Sequence, residues 1–506
     1  MARATASRPL HARGPIVIAL ALLSFGCRAE EIRHSLEEPQ ESSGPEPEPS
    51  EAEQSASAER DPSAAEPELE PELEPEPERP PYTPPSQLGS PIETRKATGT
   101  RPVYTEPETG TPLRGRIQRG DNFHVYAHRE GSGCKRAWAQ VAEGGWLCLE
   151  RTELDEGQPR PLPSLAEGEL LPFIYVRHVG HKDPKTPAIP VYASVSALNR
   201  GDAPIDTLPA YGSYAFERSR HNRGAKVYLS ASRRAVPAEQ LRELEPSELA
   251  GEELGPDAIP PDATLAWAVR WKTLIRAAAD PEAEVVTRVP YHQTLLVSSS
   301  KGVTGSDGKP WFPVLGEDRG QSGWISDHDI RRFLPEPVPE PILAGQITVD
   351  VDLAQQVLSV WREDQPVFAT LISSGKPGDS TPLGLYRIQT KWAYSKMESL
   401  ASADEPYYVD AVPWAMYFDG RYALHAAYWH DLFGHRLSHG CVNLSPHDAK
   451  RVFDLVTPTL PPGWLLVHEH AHDPGALLRV RDGDRPVPDR RSPLSPPAGE
   501  NSIISG

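Results

Sequence analysis

The sequence predicts a mainly β protein, on three observations. Short apolar runs alternate with polar residues and end in Gly, Pro and Asp turns across residues 92–155 and again from Ile347 onward. An aromatic strand, a turn and a Gly-Trp strand occur twice, ending at Trp146-Leu147-Cys148-Leu149 and at Gly323-Trp324-Ile325-Ser326. A helical period is read in one place, after Ser445. The chain has 506 residues and 56 prolines, which cluster near both ends and argue against one continuous globule. Residues 92–468 are long enough for two or three cored modules.

Charge is distributed unevenly. There are 71 acidic and 52 basic side chains, for a net −19. Residues 1–27 carry +3, from Arg3, Arg8 and Arg13, and residues 28–80 carry −14, which leaves −8 for the remainder. The acidity is mostly a property of one tail. It argues against nucleic acid as a partner, because phosphate binding needs a basic footprint.

Residues 1–27 read as a signal peptide. The apolar run from Ile16 to Leu23 is shorter than the roughly 20 residues needed to span a bilayer, but it fits a secretory core. Its end, Leu23-Ser24-Phe25-Gly26-Cys27, resembles a bacterial lipoprotein processing site. That resemblance implies a diacylated Cys27 at a new N-terminus. An ordinary cleaved signal with an incidental cysteine is the alternative. Position 28 is Arg28, not the aspartate that retains such proteins in the inner membrane. The expected location is therefore the cell envelope, on the periplasmic side and anchored to the outer membrane by lipid. Residues 28–91 read as a disordered Glu/Pro-rich tether, extended and self-repelling, with a reach of about 200 Å at full extension.

Residues 92–155 follow as a small β module. Trp138-Ala139-Gln140-Val141 and Trp146-Leu147-Cys148-Leu149 flank Gly144-Gly145, a hairpin signal. The stretch resembles a bacterial SH3-like wall-binding module, and residues 262–335 read as a second of that kind. Residues 156–261 hold strand-like runs such as Phe173-Ile174-Tyr175-Val176 and read as a β-rich insertion or third β unit without an assigned role. Cys134 and Cys148 flank the Trp138 strand. In an exported protein they read as a disulfide, with two free thiols as the alternative. Cys441 is left unpaired, and a lone thiol in an oxidising compartment calls for a chemical reason.

The chemistry is expected in residues 346–468. Ile347 to Asp352 alternates as a strand, and Val357 to Trp361 and Val367 to Ile372 continue the β pattern. Turn-rich loops follow at Ser373-Ser374-Gly375-Lys376-Pro377-Gly378 and Thr381-Pro382-Leu383-Gly384. The stretch from His425 to Asn443 contains Ser438-His439-Gly440-Cys441-Val442-Asn443, with His425 sixteen residues before Cys441.

This pattern resembles the YkuD-type L,D-transpeptidase family: a histidine, a spacer, then Ser/Thr-His-Gly-Cys-aliphatic-Asn/Arg. The two turn loops fit it as well. The resemblance implies a β-rich, barrel-like catalytic domain. It assigns Cys441 as nucleophile, His425 as proton donor and acceptor, and the Ala426 backbone carbonyl as the group orienting His425. Chemistry agrees on its own terms. A thiolate is the nucleophile, so the cysteine needs a base or cation beside it. The second ring nitrogen of that base must be held to fix its tautomer. Gly440 gives the backbone freedom to aim N–H groups at an oxyanion, and those of Gly440 and Cys441 are the expected donors. Ser438 and His439 are expected to shape the turn, and Asn443 to support the loop. Tyr428 and Trp429 read equally as groove or core.

Ser445 can cap the helix that follows, Pro446 suits its first turn, and Asp448 its positive end. Ala449, Val452, Phe453 and Val456 form one buried face. His425, His430, His435, His439, His447 and Cys441 fall within 23 positions, but their spacings match no standard zinc site, and no metal is expected. Residues 469–506 read as a disordered tail.

The resemblance implies a peptidoglycan L,D-transpeptidase that needs no cofactor. Cys441 takes the acyl group of a tetrapeptide stem, releases D-alanine, and passes the acyl group to a neighbouring stem to form a 3→3 cross-link. The same acyl-enzyme given to water, or used to attach or detach a wall protein, is one alternative. A non-catalytic wall-binding lipoprotein is another. The expected partners are stem peptides and, through the lipid anchor, a membrane. The oligomeric state is left open.

Overall fold

The computed structural model describes residues 88–180, 186–300, 302–316, 320–337, 345–399 and 406–488, all within the unit Pro77–Gly506. The signal peptide, Cys27, most of the tether, and residues 489–506 lie outside the described residues. The described chain is mainly β, with two α-helices, Val195–Arg200 and Pro446–Leu455, neither long and apolar enough to cross a membrane.

The first module runs from the Glu93–Ala97 strand to the Thr152–Leu154 strand. The expected hairpin forms between Trp138–Ala142 and Gly145–Cys148, with Gly144 at φ 57°. Cys134 and Cys148 are joined as a disulfide, their Cα atoms 5.7 Å apart. The core of Val103, Ile117, Phe123, Val125, Ala139, Val141 and Leu147 is completed by two residues from far along the chain, Trp464 and Val467. They arrive because Leu113–Ile117 pairs antiparallel with Trp464–His468. Gly115 permits the approach: a Cβ there would lie 2.6 Å from the Trp464 ring.

Residues 156–261 are not an independent insertion. Their strand Gly212–Phe216 pairs with Ile174–His178 on one side and, in parallel, with Tyr408–Asp419 of the catalytic region on the other. One open sheet therefore runs from Leu241–Glu243 through the catalytic strands Tyr408–Asp419, Thr390–Glu398 and Trp464–His468 to Ala127–Arg129 in the first module. The barrel expected from the resemblance does not close, because the edges of the catalytic sheet continue into neighbouring modules.

The second module, from Ala263–Ala268 to Ile330–Arg332, has its own core of Ala266, Ala268, Ile275, Val297, Phe312, Val314, Ile325 and Ile330. The alternate residues Trp267 and Val269 point the other way. They pack with Val357, Trp361, Ala427 and Phe433 of the catalytic region, as strand alternation allows.

A second catalytic sheet has the order Glu252–Glu253, Gln365–Leu371, Val357–Arg362, Ile347–Asp352, Leu477–Arg481, Gly384–Arg387. Its strand Leu477–Arg481 corrects two sequence expectations: the domain does not end at 468, and residues 469–488 are not a disordered tail. Every residue of this strand is buried, and it pairs in parallel with Ile347–Asp352. Its arginines hid it from a composition reading. They are tolerated inside because Arg479 reaches Asp350 at 2.6 Å, while Arg481 reaches Asp350 at 3.0 Å and Asp352 at 2.9 Å.

The helix Pro446–Leu455 starts as expected. Ser445 Oγ accepts the Asp448 N–H at 3.1 Å and donates to Leu249 O at 2.7 Å. Ala449, Val452, Phe453 and Val456 are buried in the main catalytic core with Val349, Leu358, Phe368, Leu424, Val442 and Leu444. Asp448 does more than meet the helix dipole. It is fully buried and accepts from Gly251 N–H at 2.7 Å and from the Thr370 hydroxyl.

Candidate active site

Strand pairing sets His425 beside the turn that carries Cys441. The Tyr422–Ala426 strand runs parallel to Val442–Leu444, with His425 opposite Asn443. Side chains two apart share a face, so Ala423 and His425 lie on the same side as Cys441 and Asn443. The Cys441 thiol is half-buried and donates to Arg421 O at 3.7 Å. The Ala423 N–H also reaches it.

The electrostatics differ from a preformed thiolate. Burial pushes the Cys441 thiol up to about 11, against the smaller pull of the Ala423 N–H and the Arg421 guanidinium. Burial pushes His425 down to about 4, with a smaller opposing push from its hydrogen bond to Ala426. The resting pair is thus a neutral thiol and a neutral imidazole. His425 Nδ1 lies 3.1 Å from Ala426 O. In the neutral ring, Nδ1 donates there and Nε2 keeps its lone pair. The arrangement suits a base that takes a proton at the moment of attack.

The motif is folded by its own side chains. Ser438 Oγ donates to Cys441 O at 2.5 Å and accepts the Gly440 N–H at 3.1 Å. This changes the expected oxyanion site, since the Gly440 N–H is already engaged. The Cys441 N–H, by contrast, makes no hydrogen bond among the described residues. Gly440 itself sits at φ 111°, with the Tyr422 ring where a Cβ would fall. His439 is exposed and stacks on Tyr407, ring centroids 4.9 Å apart. Asn443 supports the loop twice. Its backbone exchanges two 2.9 Å bonds with Ser373, and its side-chain amide hydrogen-bonds His430 Nε2 at 3.0 Å.

The two turn loops strap the motif in place. Leu437 N–H and Ser438 N–H donate to Ser374 O, at 2.8 and 2.9 Å, and Lys376 N–H donates to Ser438 O at 3.0 Å. Gly375 N–H donates to Thr381 Oγ1 at 3.0 Å. The stretch between His425 and Cys441 is held by the second module. Arg331 Nε donates to Gly434 O, and His435 Nε2 to Val269 O, both at 3.0 Å. Tyr428 resolves as core, with its ring 3.7 Å from that of Tyr175 and its hydroxyl on Asp410 O. Trp429 is half-buried between two apolar clusters, 5.7 Å from the His425 ring.

The clustered histidines do not converge. His430 turns to Asn443, His435 to Val269, His439 to Tyr407, and His447 to Asp448. Among the described residues, the one group with metal-ligand spacing is Cys134, Cys148 and Glu150, whose sulfurs form the disulfide.

Tyr407, Tyr417, Arg421, Tyr422 and Asp379 lie outside the set expected from the sequence, yet they border Cys441 or the Gly440 turn before it. Burial raises the phenols of Tyr407 and Tyr417, and Cys441 adds to both shifts. Asp379 O lies 3.5 Å from the Cβ position at Gly440. The one available signal was Asp419-Gly420, a turn dipeptide just ahead of the His425 strand, which begins at Tyr422.

Residues 346–475 match the family model of YkuD, described as the L,D-transpeptidase catalytic domain. No curated protein matches the chain. Among solved structures, the chain is similar to a point-mutant L,D-transpeptidase from Enterococcus faecium, with 22% identity over 27% of this chain and 50% of that one and a TM-score of 0.22. It thus spans half the length of that enzyme. It is similar to the catalytic domain of E. faecium L,D-transpeptidase, at 24% identity over 27% of this chain and 98% of that one, TM-score 0.22. A third is the L,D-transpeptidase from Stackebrandtia nassauensis, at 27% identity over 28% of this chain and 57% of that one, TM-score 0.19. By the family match, residues 346–475 carry an L,D-transpeptidase catalytic domain of the YkuD type.

Proposed function

We propose that this protein is an exported peptidoglycan L,D-transpeptidase that forms 3→3 cross-links. The observation that carries the reading is the strand pair that sets Cys441 on the same face as His425, with the imidazole held by Ala426 O. Cys441 Sγ gives its proton to His425 Nε2 and attacks the carbonyl of the L-centre that precedes the terminal D-alanine. The Cys441 N–H faces the oxyanion. The tetrahedral intermediate expels the D-alanine amine, which takes the proton from His425, and a thioester remains. The amine of a neighbouring stem then attacks the thioester, gives its proton to His425, and releases the thiol. We further propose that diacylated Cys27 anchors the chain to the outer membrane on its periplasmic side.

The test is incubation with defined disaccharide-tetrapeptides and identification of the products by mass. Cross-linked dimer and free D-alanine are expected, and a carbapenem should leave a covalent adduct on the Cys441 peptide. Cys441→Ala should abolish all three. Tripeptide product without dimer would replace transfer to an amine by transfer to water. D-alanine release that persists in Cys441→Ala would overturn the reading. For the anchor, Cys27→Ala should move the protein from the membrane to the soluble fraction, and equal partitioning would refute it.

A further inference from the structure

A cation stands beside the nucleophile, and no part of the mechanism above uses it. Arg421 is exposed and sits in the turn with Gly420, directly before the Tyr422–Ala426 strand that carries His425. Its carbonyl receives the Cys441 thiol at 3.7 Å. Its guanidinium lies 5.5 Å from the centre of the Tyr422 ring, and that ring covers Gly440. The guanidinium is hydrogen-bonded to the Tyr422 side chain, and Tyr422, Tyr407 and Cys441 act on its charge, with no carboxylate among them. Asp379, in the loop beside the motif, is paired with Lys376 at 3.7 Å.

Thiol activation does not account for the charge. The Arg421 pull on Cys441 is the smallest of its influences, and burial overrides it. An exposed guanidinium that spends one donor on the Tyr422 side chain keeps others, and suits a planar anion, which it can grip with two parallel hydrogen bonds.

We propose that Arg421 recognises the α-carboxylate of the residue that leaves the donor stem. This rests on the reading of Cys441 as the nucleophile toward peptidoglycan stems. In a donor that ends one residue past the attacked carbonyl, the terminal carboxylate lies within about 3.8 Å of that carbonyl. A cation beside the thiol reaches it there. In a donor one residue longer, the carboxylate lies roughly another 3.5 Å away, and a neutral amide takes its place. Arg421 thus measures the length of the donor and selects stems that end at the leaving residue.

The experiment compares three donors: a tetrapeptide, the same peptide amidated at its terminal carboxyl, and the same peptide amidated at the side-chain carboxyl of its diamino acid. Wild type should lose roughly 10- to 100-fold in kcat/KM on terminal amidation, mainly through KM. Arg421→Gln should lose as much on the free-carboxyl donor and nothing further on the terminal amide. Arg421→Lys should recover part of the loss. If Arg421→Gln slows both donors alike, or responds to side-chain amidation, the assignment is overturned. Alkylation of Cys441 by iodoacetamide should be unchanged in Arg421→Gln, and a parallel fall would make Arg421 a thiol-tuning residue. Calorimetric binding of the uncleaved peptides to Cys441→Ala keeps the two readings apart. If wild type releases no D-alanine, the reaction fails. If Cys441→Ala binds carboxylate and amide equally, the Arg421 proposal fails.

Discussion

His425 titrates far from its usual range because it is buried, and the sign of that shift fixes two pH dependences. An ordinary histidine changes charge near 6.5, whereas burial holds His425 near 4. His425 stays neutral down to that value, as the proposed base must be. The acid limb of kcat/KM should therefore have its midpoint near pH 4, measured as the rate of acylation by a carbapenem, and a limb near 6.5 would contradict the buried site. The same shift bears on stability. The folded pKa is depressed, so this contribution is fully present above 6.5 and is lost as pH falls from 6.5 toward 4. His430, held near 3, loses its contribution over a wider window of the same sign. Side-chain deletions should separate the roles. His425→Ala should slow acylation by roughly 100- to 10,000-fold. Asn443→Ala keeps the backbone bridge to Ser373 and loses only the bond to His430, so a loss under about tenfold is expected. At this scale the candidate pair His425 and Cys441 was legible because a strand and a turn carry the two residues, sixteen apart. Arg421 and Tyr407 were not, because a cation or a phenol at the end of a strand has no local pattern. Of the two N–H groups expected to face an oxyanion, that of Gly440 is taken by Ser438, although Gly440 does provide the bend.

Among the elements, the loop from Trp429 to Leu437 depends most on a partner. It has no regular structure of its own and is tied to the second module through Arg331 and His435. Gly434 sits at φ 90°, and a Cβ there would run into Val269. Gly434→Ala should therefore cost about 1–3 kcal/mol of stability, read from the denaturant midpoint, because it combines backbone strain with a clash. Acylation should fall in the same variant, since the loop links the base strand to the nucleophile turn. The helix after Cys441 was legible in full, since cap, proline and apolar period all sit within twelve residues. The strand Leu477–Arg481 was not. Its alternating arginines look solvated until Asp350 and Asp352, some 130 residues earlier, are placed beside them.

Across the whole molecule, the short strands of residues 92–155 and 262–335 could be read from turns and aromatic runs, but the sheet that joins distant segments could not. Its defining pairs are Gly212 with Tyr408 and Gly115 with Val467, and register across such separations leaves no trace in local periodicity. Residues 88–155 made alone lack Trp464 and Val467 from their core. Removal of a buried tryptophan costs about 3–5 kcal/mol, so this fragment should show broad thermal unfolding and weak near-ultraviolet dichroism, while a sharp transition would show that the module is self-sufficient. The shared strand also sets a timetable. On the proposal that the chain is exported from its N-terminus, Leu113–Ile117 emerges long before Trp464–His468, so the first module would wait with an open edge for its final strand. Loop closure over such a separation is slow, and an unpaired edge invites the wrong neighbour. During refolding, amides of 113–117 should gain protection from hydrogen exchange together with those of 464–468, and later than those of the second module, whose strands all lie between 263 and 332. The first β module to leave the translocation pore would then be among the last to finish folding.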